Sequence, residues 1–557
     1  MKLDYLKVDG FKNLSNFEVD FDAQSLITVV IGWNGTGKSN LFEALVLIFR
    51  DLDLKQVTPF SYKVVYHSRG ARVTVENNPS GGTFAKSVSF KIEEETFELG
   101  AEPPAPKLIN YLPSYVFGYY SGPSRRLSDH FFTHQRKYYE KIISDDASNV
   151  RELKALRKFF CAENHHAKYA LIAFFAQHDQ RVSDFLKKHL RIEGLESVLF
   201  VMKRPTWATG KKKDAHLWGA KGLVRRFLDR LFNLSLAPMH LDQRVPLSIK
   251  KSKTEQFLYL YLKDVNRLHE LAEDYDSQSD FFAALESADL SEVIHDVQIK
   301  VRIRSYDGEL TFRELSEGEQ QLLMVLGLLR FTKEEESLIL LDEPDTHLNP
   351  HWGTEYLDML REIVGTEDNA KNTKGTRHII MATHDPLVIS GLEKEQIQIL
   401  KRNEHTDQCY AETPHRSPKG MGFEGILTSE MFGFRSALDR PTQDLLDEKR
   451  QLVNELEQRD RKVHSDVLSQ CSLDSLATET PRKTREQILR RIEKINTLIG
   501  DLDFTNVVRD EYFKIFSRAM ADFEAKNAIK GNAVSPADFE RRREFAARII
   551  ERIKNQE

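Results

Sequence analysis

Eight consecutive residues, Gly32-Trp33-Asn34-Gly35-Thr36-Gly37-Lys38-Ser39, satisfy G-x-x-x-x-G-K-[ST] at every fixed position. Glycines at this spacing let successive backbone N–H groups turn inward around an anion, and a helix beginning at the lysine adds the positive end of its dipole. The chemistry implied is capture of a nucleoside polyphosphate. Asn34, Gly35, Thr36 and Gly37 line the cradle, Lys38 meets β/γ-phosphate charge, and Asn40 continues into the helix. The Ser39 hydroxyl suits Mg2+, an ion that takes oxygen ligands. Two elements must hold this loop. Leu26-Ile27-Thr28-Val29-Val30-Ile31 is short and β-branched and predicts a buried strand, while Asn40-Leu41-Phe42-Glu43-Ala44-Leu45 has helical periodicity. A glycine turn matching by chance would lack this strand–loop–helix frame.

The partner segment lies three hundred residues on. Leu338-Ile339-Leu340-Leu341-Asp342-Glu343 is an apolar strand ending in two carboxylates. Asp342 is placed to hold Mg2+ through water, and Glu343, one residue further, to orient and deprotonate a water attacking the γ-phosphate of ATP. Alone, Asp-Glu-Pro after a strand is an ordinary turn; the phosphate loop makes it half of a site. Leu315-Ser316-Glu317-Gly318-Glu319-Gln320-Gln321 precedes a helical run, where Ser316 and Gly318 can meet a phosphate. A plain capping box of Ser316 with Glu319 accounts for the spacing equally well. Ile379-Ile380-Met381-Ala382-Thr383-His384-Asp385 is another buried strand, ending in a histidine able to donate to a phosphate.

At 557 residues the chain exceeds a single hydrophobic core. With 40% hydrophobic and 30% charged residues it reads as a soluble globular protein, and its net charge of -5 excludes a uniformly basic nucleic-acid binder but not a local basic face. Cys161, Cys409 and Cys471 lie too far apart for a disulfide framework or a C-x-x-C metal site. No apolar run reaches the ~18 residues of a membrane span, and the start MKLDYLKVDGFKNL lacks the order of a signal peptide, so a cytoplasmic protein without membrane contact is expected.

In order, GWNGTGKSN, LSEGEQQ, LILLDEPDTHLNP and MATHD resemble the ABC-type ATPases of the SMC/RecF branch. The resemblance implies an α/β fold with an ABC-type P-loop NTPase head, and ATP and Mg2+ as cofactors. In that family the signature of one subunit closes over the nucleotide of another. This implies a head-to-head homodimer or higher assembly, with Ser316, Gly318 and Glu319 acting in trans. It also makes His347-Leu348-Asn349 the D-loop and His384 the switch histidine. Phe11-Lys12-Asn13-Leu14 is similar to the family's opening, which would put Lys12 and Asn13 near the nucleotide. The Q-loop residue stays open between Ser121 and Gln135.

The resemblance to the head covers about residues 1–125 and 300–405. The expected organisation is a head N-terminal lobe over 1–125, a mainly helical insert over 126–300, a head C-terminal lobe over 301–433 and a helical partner-docking extension over 434–557. The insert has no sustained heptads and carries Pro205, Pro238 and Pro246, which argues against a coiled coil. Arg181–Phe257 holds 17 Lys/Arg against 7 Asp/Glu, a net +10, including Lys211, Lys212, Lys213, Arg225 and Arg226. Asp264–Asp296 has 1 Arg against 10 acidic residues, a net −9. The basic block is either a nucleic-acid face, with Trp207, Trp218 and Phe227 as stacking platforms, or charge neutralised by its acidic neighbour.

Beyond His384, apolar stripes at helical spacing in Arg435–Leu468 and Arg482–Ile499 predict a helical hairpin, and Ser535-Pro536 opens a last amphipathic helix. Head, insert and extension together resemble the PtuA-type ATPases of Septu antiphage systems, especially those encoded with retrons. That resemblance implies a separate HNH-type, PtuB-like nuclease as partner, joined in retron systems by a reverse transcriptase and RNA-linked single-stranded DNA. A TOPRIM nuclease of the overcoming-lysogenisation type would need paired acidic strand ends, and Asp501-Leu502-Asp503 follows a helical run instead. A RecF-like DNA-repair ATPase is the other alternative.

Overall fold

The chain opens with alternating strands. β1 (Lys2–Asp9), β2 (Phe17–Asp20), β4 (Ser61–Ser68), β5 (Ala71–Asn77), β6 (Val88–Ile92) and β7 (Glu95–Glu98) form an antiparallel sheet in the order β2-β1-β4-β5-β6-β7. In β5, Val73 and Val75 point inward while Arg72 and Glu76 face water, the pattern of a sheet with one wet side. In this computed structural model the described residues are 1–93, 95–98, 106–143, 158–209, 216–248, 251–304, 309–331, 336–364, 377–403, 405–468, 485–500 and 548. They divide into two compact units, Met1–Arg435 and Ser436–Glu557.

The central sheet of the first unit has strands that are apolar throughout, which requires cover on both faces. β3 (Ile27–Gly32), β8 (Tyr115–Tyr120), β9 (Phe159–Ala162), β15 (Ser337–Asp342), β16 (Arg377–Ala382), β17 (Ile397–Arg402) and β18 (Cys409–Glu412) run in the order β18-β17-β3-β16-β15-β8-β9, parallel except for the edge strand β18. Successive side chains feed two cores. Ile31, Ile339, Leu341 and Met381 join one; Val30, Leu338, Leu340 and Ile380 join the other. The helix Lys38–Leu54 and the N-terminal sheet close the second core, and the helix Glu317–Phe331 and the insert close the first. The phosphate loop, Asp342 and Thr383 therefore emerge side by side at the carboxyl ends of adjacent parallel strands, the edge where such sheets bind ligands.

The stretch 126–300 departs from expectation. Among its described residues helices outweigh strands, and they include Phe132–Ile142, His166–Ala176, Gln180–His189, Gly222–Leu234, Val265–Ala272 and Gln278–Leu290. Yet they accompany a five-stranded antiparallel sheet that the expectation lacked: β10 (Ile192–Lys203), β11 (Met239–Ser248), β12 (Lys251–Leu262), β13 (Ile294–Ile303) and β14 (Glu309–Thr311), in the order β11-β12-β10-β13-β14. The signal was present, since Val297, Ile299, Val301 and Ile303 alternate with Gln298, Lys300 and Arg302 at period two. Pro246 falls in edge strand β11, where a missing N–H need not break the ladder, so the prolines excluded a coiled coil without requiring helices. The boundaries move as well. β9 belongs to the central sheet, and β13 runs across the expected junction at 300/301. One continuous core links Phe200, Phe227 and Leu260 of the insert with Leu323 and Ile339 of the head.

In the second unit, helices Arg440–Leu468 and Arg485–Gly500 pack through Leu446, Leu452, Ile488 and Ile495, with Arg491 bidentate on Glu448 at 2.8 and 2.7 Å. Both expected helices of the hairpin are present. The helix expected from Ser535, Asp501-Leu502-Asp503, Cys471 and Lys211 to Lys213 lie outside the described residues. Among the described residues no helix is long and apolar enough to cross a membrane.

Candidate nucleotide site

The turn after β3 tolerates little bulk. A Cβ on Gly32 would lie 2.4 Å from the Leu400 carbonyl oxygen, and Gly37, at φ 102, backs onto Leu14 and Asn13. Asn13 braces the loop, donating from Nδ2 to the Gly35 carbonyl at 3.0 Å and accepting from Asn40 Nδ2 at 2.6 Å. The Thr36 hydroxyl donates to the Trp33 carbonyl at 2.8 Å, and Asn34 is exposed at the tip. Lys38 is buried, its Nζ folded back onto the Gly32 carbonyl at 2.8 Å. Burial pushes its ammonium down to about 8 against the pull of Glu343 and Asp342, so an arriving polyphosphate meets a partly desolvated cation.

Asp342 ends β15 inside the protein. Burial pushes its carboxyl up to about 6, aided by Glu343 and opposed by the Ser39 hydrogen bond and Lys38. Its Oδ1 is a buried acceptor with no hydrogen-bond partner. An orphaned carboxylate oxygen beside a serine hydroxyl is a donor set that fits Mg2+. Glu343 has φ 54, in the left-handed region where a glutamate is uncommon, and its N–H is tied to the Ala382 carbonyl at 3.0 Å. Its Oε1 lies 3.1 Å from His384 Nε2, and that hydrogen bond holds the carboxyl below the usual carboxylate range. Two residues on, buried Asp345 accepts from Thr383 Oγ1. Ser121 follows β8 beside this strand end, its N–H on the Asp342 carbonyl at 3.2 Å and its Oγ 3.2 Å from Thr346 Oγ1. Gln135 instead sits half-buried on the helix Phe132–Ile142.

Ser316 forms the capping box: its N–H and Oγ reach Glu319 Oε2 at 2.7 and 2.8 Å, and both Ser316 and Glu317 are exposed. Gly318 is buried against His347 and Leu348. A Cβ there would lie 2.4 Å from the His347 carbonyl oxygen, a backbone atom that cannot swing aside. His347 Nδ1 lies 3.5 Å from Glu317 Oε2, the Leu348 N–H donates to the Asp345 carbonyl at 3.0 Å, and Asn349 Oδ1 accepts from the Trp352 N–H at 2.9 Å. Gln321, the last residue of LSEGEQQ, is buried on the helix Glu317–Phe331; it donates to Tyr119 OH at 3.0 Å and accepts from the His347 N–H at 3.2 Å, which ties that helix to residues 347–349 within the chain. Gly318→Ala should therefore cost about 1–3 kcal/mol of nucleotide-free stability in urea unfolding. Unchanged stability would leave Gly318 a role only across a dimer.

A second group escaped the sequence because its members are distant in the chain. Glu43, buried on the helix Lys38–Leu54, accepts from Lys12 Nζ, from Arg126 Nε at 2.7 Å and from His130 Nε2 at 3.1 Å, while Arg126 also reaches Asn40. Lys12 is thus turned toward this carboxylate, and Asn13 alone of that pair braces the phosphate loop. Burial raises the Glu43 carboxyl, but the hydrogen bonds from His130, Lys12 and Arg126 prevail and hold it at about 2. Its folded value is depressed, so the stabilisation is present above the ordinary value of 4.5 and is lost as pH falls toward about 2. Glu43→Gln should cost about 2–3 kcal/mol at pH 7 and flatten the loss between pH 4.5 and 2. Urea unfolding across that range checks both; an unflattened acid limb removes Glu43 from this role.

The stacking platforms expected in the insert are not available. Trp218 and Phe227 are core residues, and half-buried Trp207 donates to the Ser291 carbonyl at 2.8 Å. Arg225 pairs with Asp229, Arg226 is exposed, and Arg230 reaches Glu273 and Asp274 of the acidic block at 3.5 and 3.6 Å. The two charge blocks neutralise each other in part.

A phosphate loop, an acidic strand end and a Glu–His pair on one edge of a parallel sheet define a P-loop ATPase domain. Over residues 27–390 the chain matches, and belongs to, the family described as "AAA domain, putative AbiEii toxin, Type IV TA system". It is 27% identical over 250 residues to Septu protein PtuA of Bacillus mycoides (strain KBAB4), covering 42% of this chain and 34% of that protein. It is 23% identical over 180 residues to Septu protein PtuA of Bacillus thuringiensis, covering 30% and 42%. The matched region thus spans well under half the length of these relatives. Among solved structures, the SMC head domain from Thermotoga maritima matches 74% of this chain and 99% of its own at 10% identity and a TM-score of 0.31. The SMC head bound to the C-winged helix domain of ScpA matches 74% and 98% at the same identity and TM-score.

Proposed function

We propose that this chain is the ATP-hydrolysing subunit of a Septu-type antiphage complex, acting as a head-to-head dimer that restrains or directs an HNH-type nuclease on another chain. The pairing of Glu343 with His384 beside Lys38 and Asp342 carries the ATPase reading. Lys38 draws in the phosphates, and Ser39 and Asp342 would hold Mg2+, which when bound neutralises phosphate charge. Glu343, kept ionised by His384, takes the proton of the attacking water, and His384 donates to the γ-phosphate. Ser316, exposed and bonded to its own Glu319, would be offered to the nucleotide of a second copy. Similarity to PtuA supports a nuclease partner, joined in a retron setting by a reverse transcriptase and RNA-linked single-stranded DNA, and the helices after Ser436 would dock it. Co-expression with a PtuB-like HNH protein tests the reading. A complex surviving gel filtration is expected; its absence, with tight ATP-dependent duplex binding by this chain alone, would favour a RecF-like ATPase.

A further inference from the structure

The two edges of the insert sheet differ. Strand β14 is three residues long, a length at which an edge offers little to pair with, whereas β11, at the opposite edge, runs for ten. Among the described residues nothing pairs with the outer side of β11. Met239, His240, Leu241, Asp242, Gln243 and Arg244 are all exposed, so both faces of the strand meet water. The same holds for Lys251 to Thr254 of β12, which lie opposite its far half, and the hairpin thus reaches past the core that holds Phe200, Leu258 and Leu260. Met239 and Leu241 stand opposite Tyr259 and Phe257 and so share their face. On that face Met239, Leu241 and Tyr261 are exposed, and Leu236, whose N–H donates to the Tyr261 carbonyl at 3.0 Å, is 67% exposed. A long unpaired edge beside exposed apolar side chains invites another strand.

The order of residues in β11 is complementary to itself. Turned antiparallel about Gln243, the strand sets Asp242 opposite Arg244 of a second copy twice over, Leu241 opposite Val245, and Gln243 opposite Gln243. Opposite charges and apolar pairs directly across a ladder are favourable. A slip of two residues would bring Asp242 against Asp242 or Arg244 against Arg244, and a slip of one would turn the apolar side chains of one copy to the polar face of the other. Asp242 has no ion pair among the described residues, and Arg244 is held at the edge by its Nε bond to Ser252 Oγ at 2.5 Å. Pro246 falls opposite His240, outside both charge pairs, where a missing N–H ends the ladder.

We propose that β11 is a contact through which two copies of this chain join without nucleotide, paired antiparallel about Gln243 so that their insert sheets become one. Main-chain hydrogen bonds hold the strands, the two Asp242–Arg244 pairs fix the register, and Met239 and Leu241 of both copies come to the same side of the joined sheet. None of these residues belongs to the nucleotide site. The contact is therefore separate from closure of the heads, and a chain with both contacts can link more than two copies.

The test is sedimentation velocity of the full chain without nucleotide, in which wild type should self-associate reversibly at concentrations up to about 100 μM. Asp242→Arg alone, or Arg244→Asp alone, sets like charges across both pairs and should weaken association at least about tenfold. Asp242→Arg/Arg244→Asp exchanges the partners and should restore it. Gln243→Cys, on the axis, should join copies through a short bis-maleimide, whereas Lys63→Cys, on the N-terminal sheet, should not. This second measurement requires no loss of association, so it decides the matter even where a charge variant fails to fold. Because every reading is taken without ATP, it is independent of nucleotide-driven closure of the heads. A wild-type chain that stays monomeric over that range overturns the proposal. So does association indifferent to the single charge changes, a double exchange that fails to restore it, or cross-linking through Gln243→Cys no greater than through Lys63→Cys.

Discussion

Glu343→Gln is expected to bind ATP, keep it and fail to hydrolyse it, lowering turnover by roughly 10²- to 10⁴-fold, the usual contribution of a positioned base. The amide matches the carboxylate in size, so the backbone at φ 54 and the approach to His384 can persist while the proton acceptor is lost. The consequence beyond chemistry is assembly: in the proposed dimer, closure by nucleotide is undone by hydrolysis, so the variant should elute as a stable dimer with ATP and as wild type without it. Radiolabelled turnover and gel filtration with light scattering measure the two effects. Turnover at the wild-type rate would remove Glu343 from the role of base.

Lys38→Ala is expected to act earlier, weakening ATP binding itself by at least about 100-fold, as the loss of charge-assisted hydrogen bonds to phosphate predicts. The fold should survive. Lys38 is a buried cation whose own chain offers the Gly32 carbonyl, and burial disfavours its charge, so truncation removes an electrostatic cost along with the packing of its stem. Isothermal titration with a non-hydrolysable ATP analogue reads the affinity, and thermal unfolding without nucleotide reads the fold. Retained affinity would mean that the loop backbone alone carries binding. Dimers trapped by Glu343→Gln should disappear in the double variant.

Much of the site was legible because it is written in contiguous segments. The phosphate loop, Asp342-Glu343 and Thr383-His384 each sit at the end of an apolar strand, and parallel strands buried on both faces bring their carboxyl ends to one edge. Local spacing also indicated the Ser316–Glu319 cap, which the structure contains. The helices Arg440–Leu468 and Arg485–Gly500 followed from 3.6-residue periodicity. The antiparallel sheet of the insert is less legible for a different reason: its period-two signal is plain in β13, but Pro246, which argues against a coiled coil, is equally at home in the edge strand β11.

Other features depend on residues far apart in the chain. Nothing local to Glu43 announces that Lys12, Arg126 and His130 converge on it, and nothing in LSEGEQQ shows Gly318 pressed against the His347 carbonyl or Gln321 bridging to Tyr119. Composition likewise showed opposite charge blocks without saying which cations would be matched. The order of residues along the strands was enough to specify the type of site, because phosphate and metal chemistry requires particular groups at short fixed spacings. Which charges stay unpaired and which glycine is indispensable depend on packing between elements, where a few ångströms separate a neutralised cation from one left facing water.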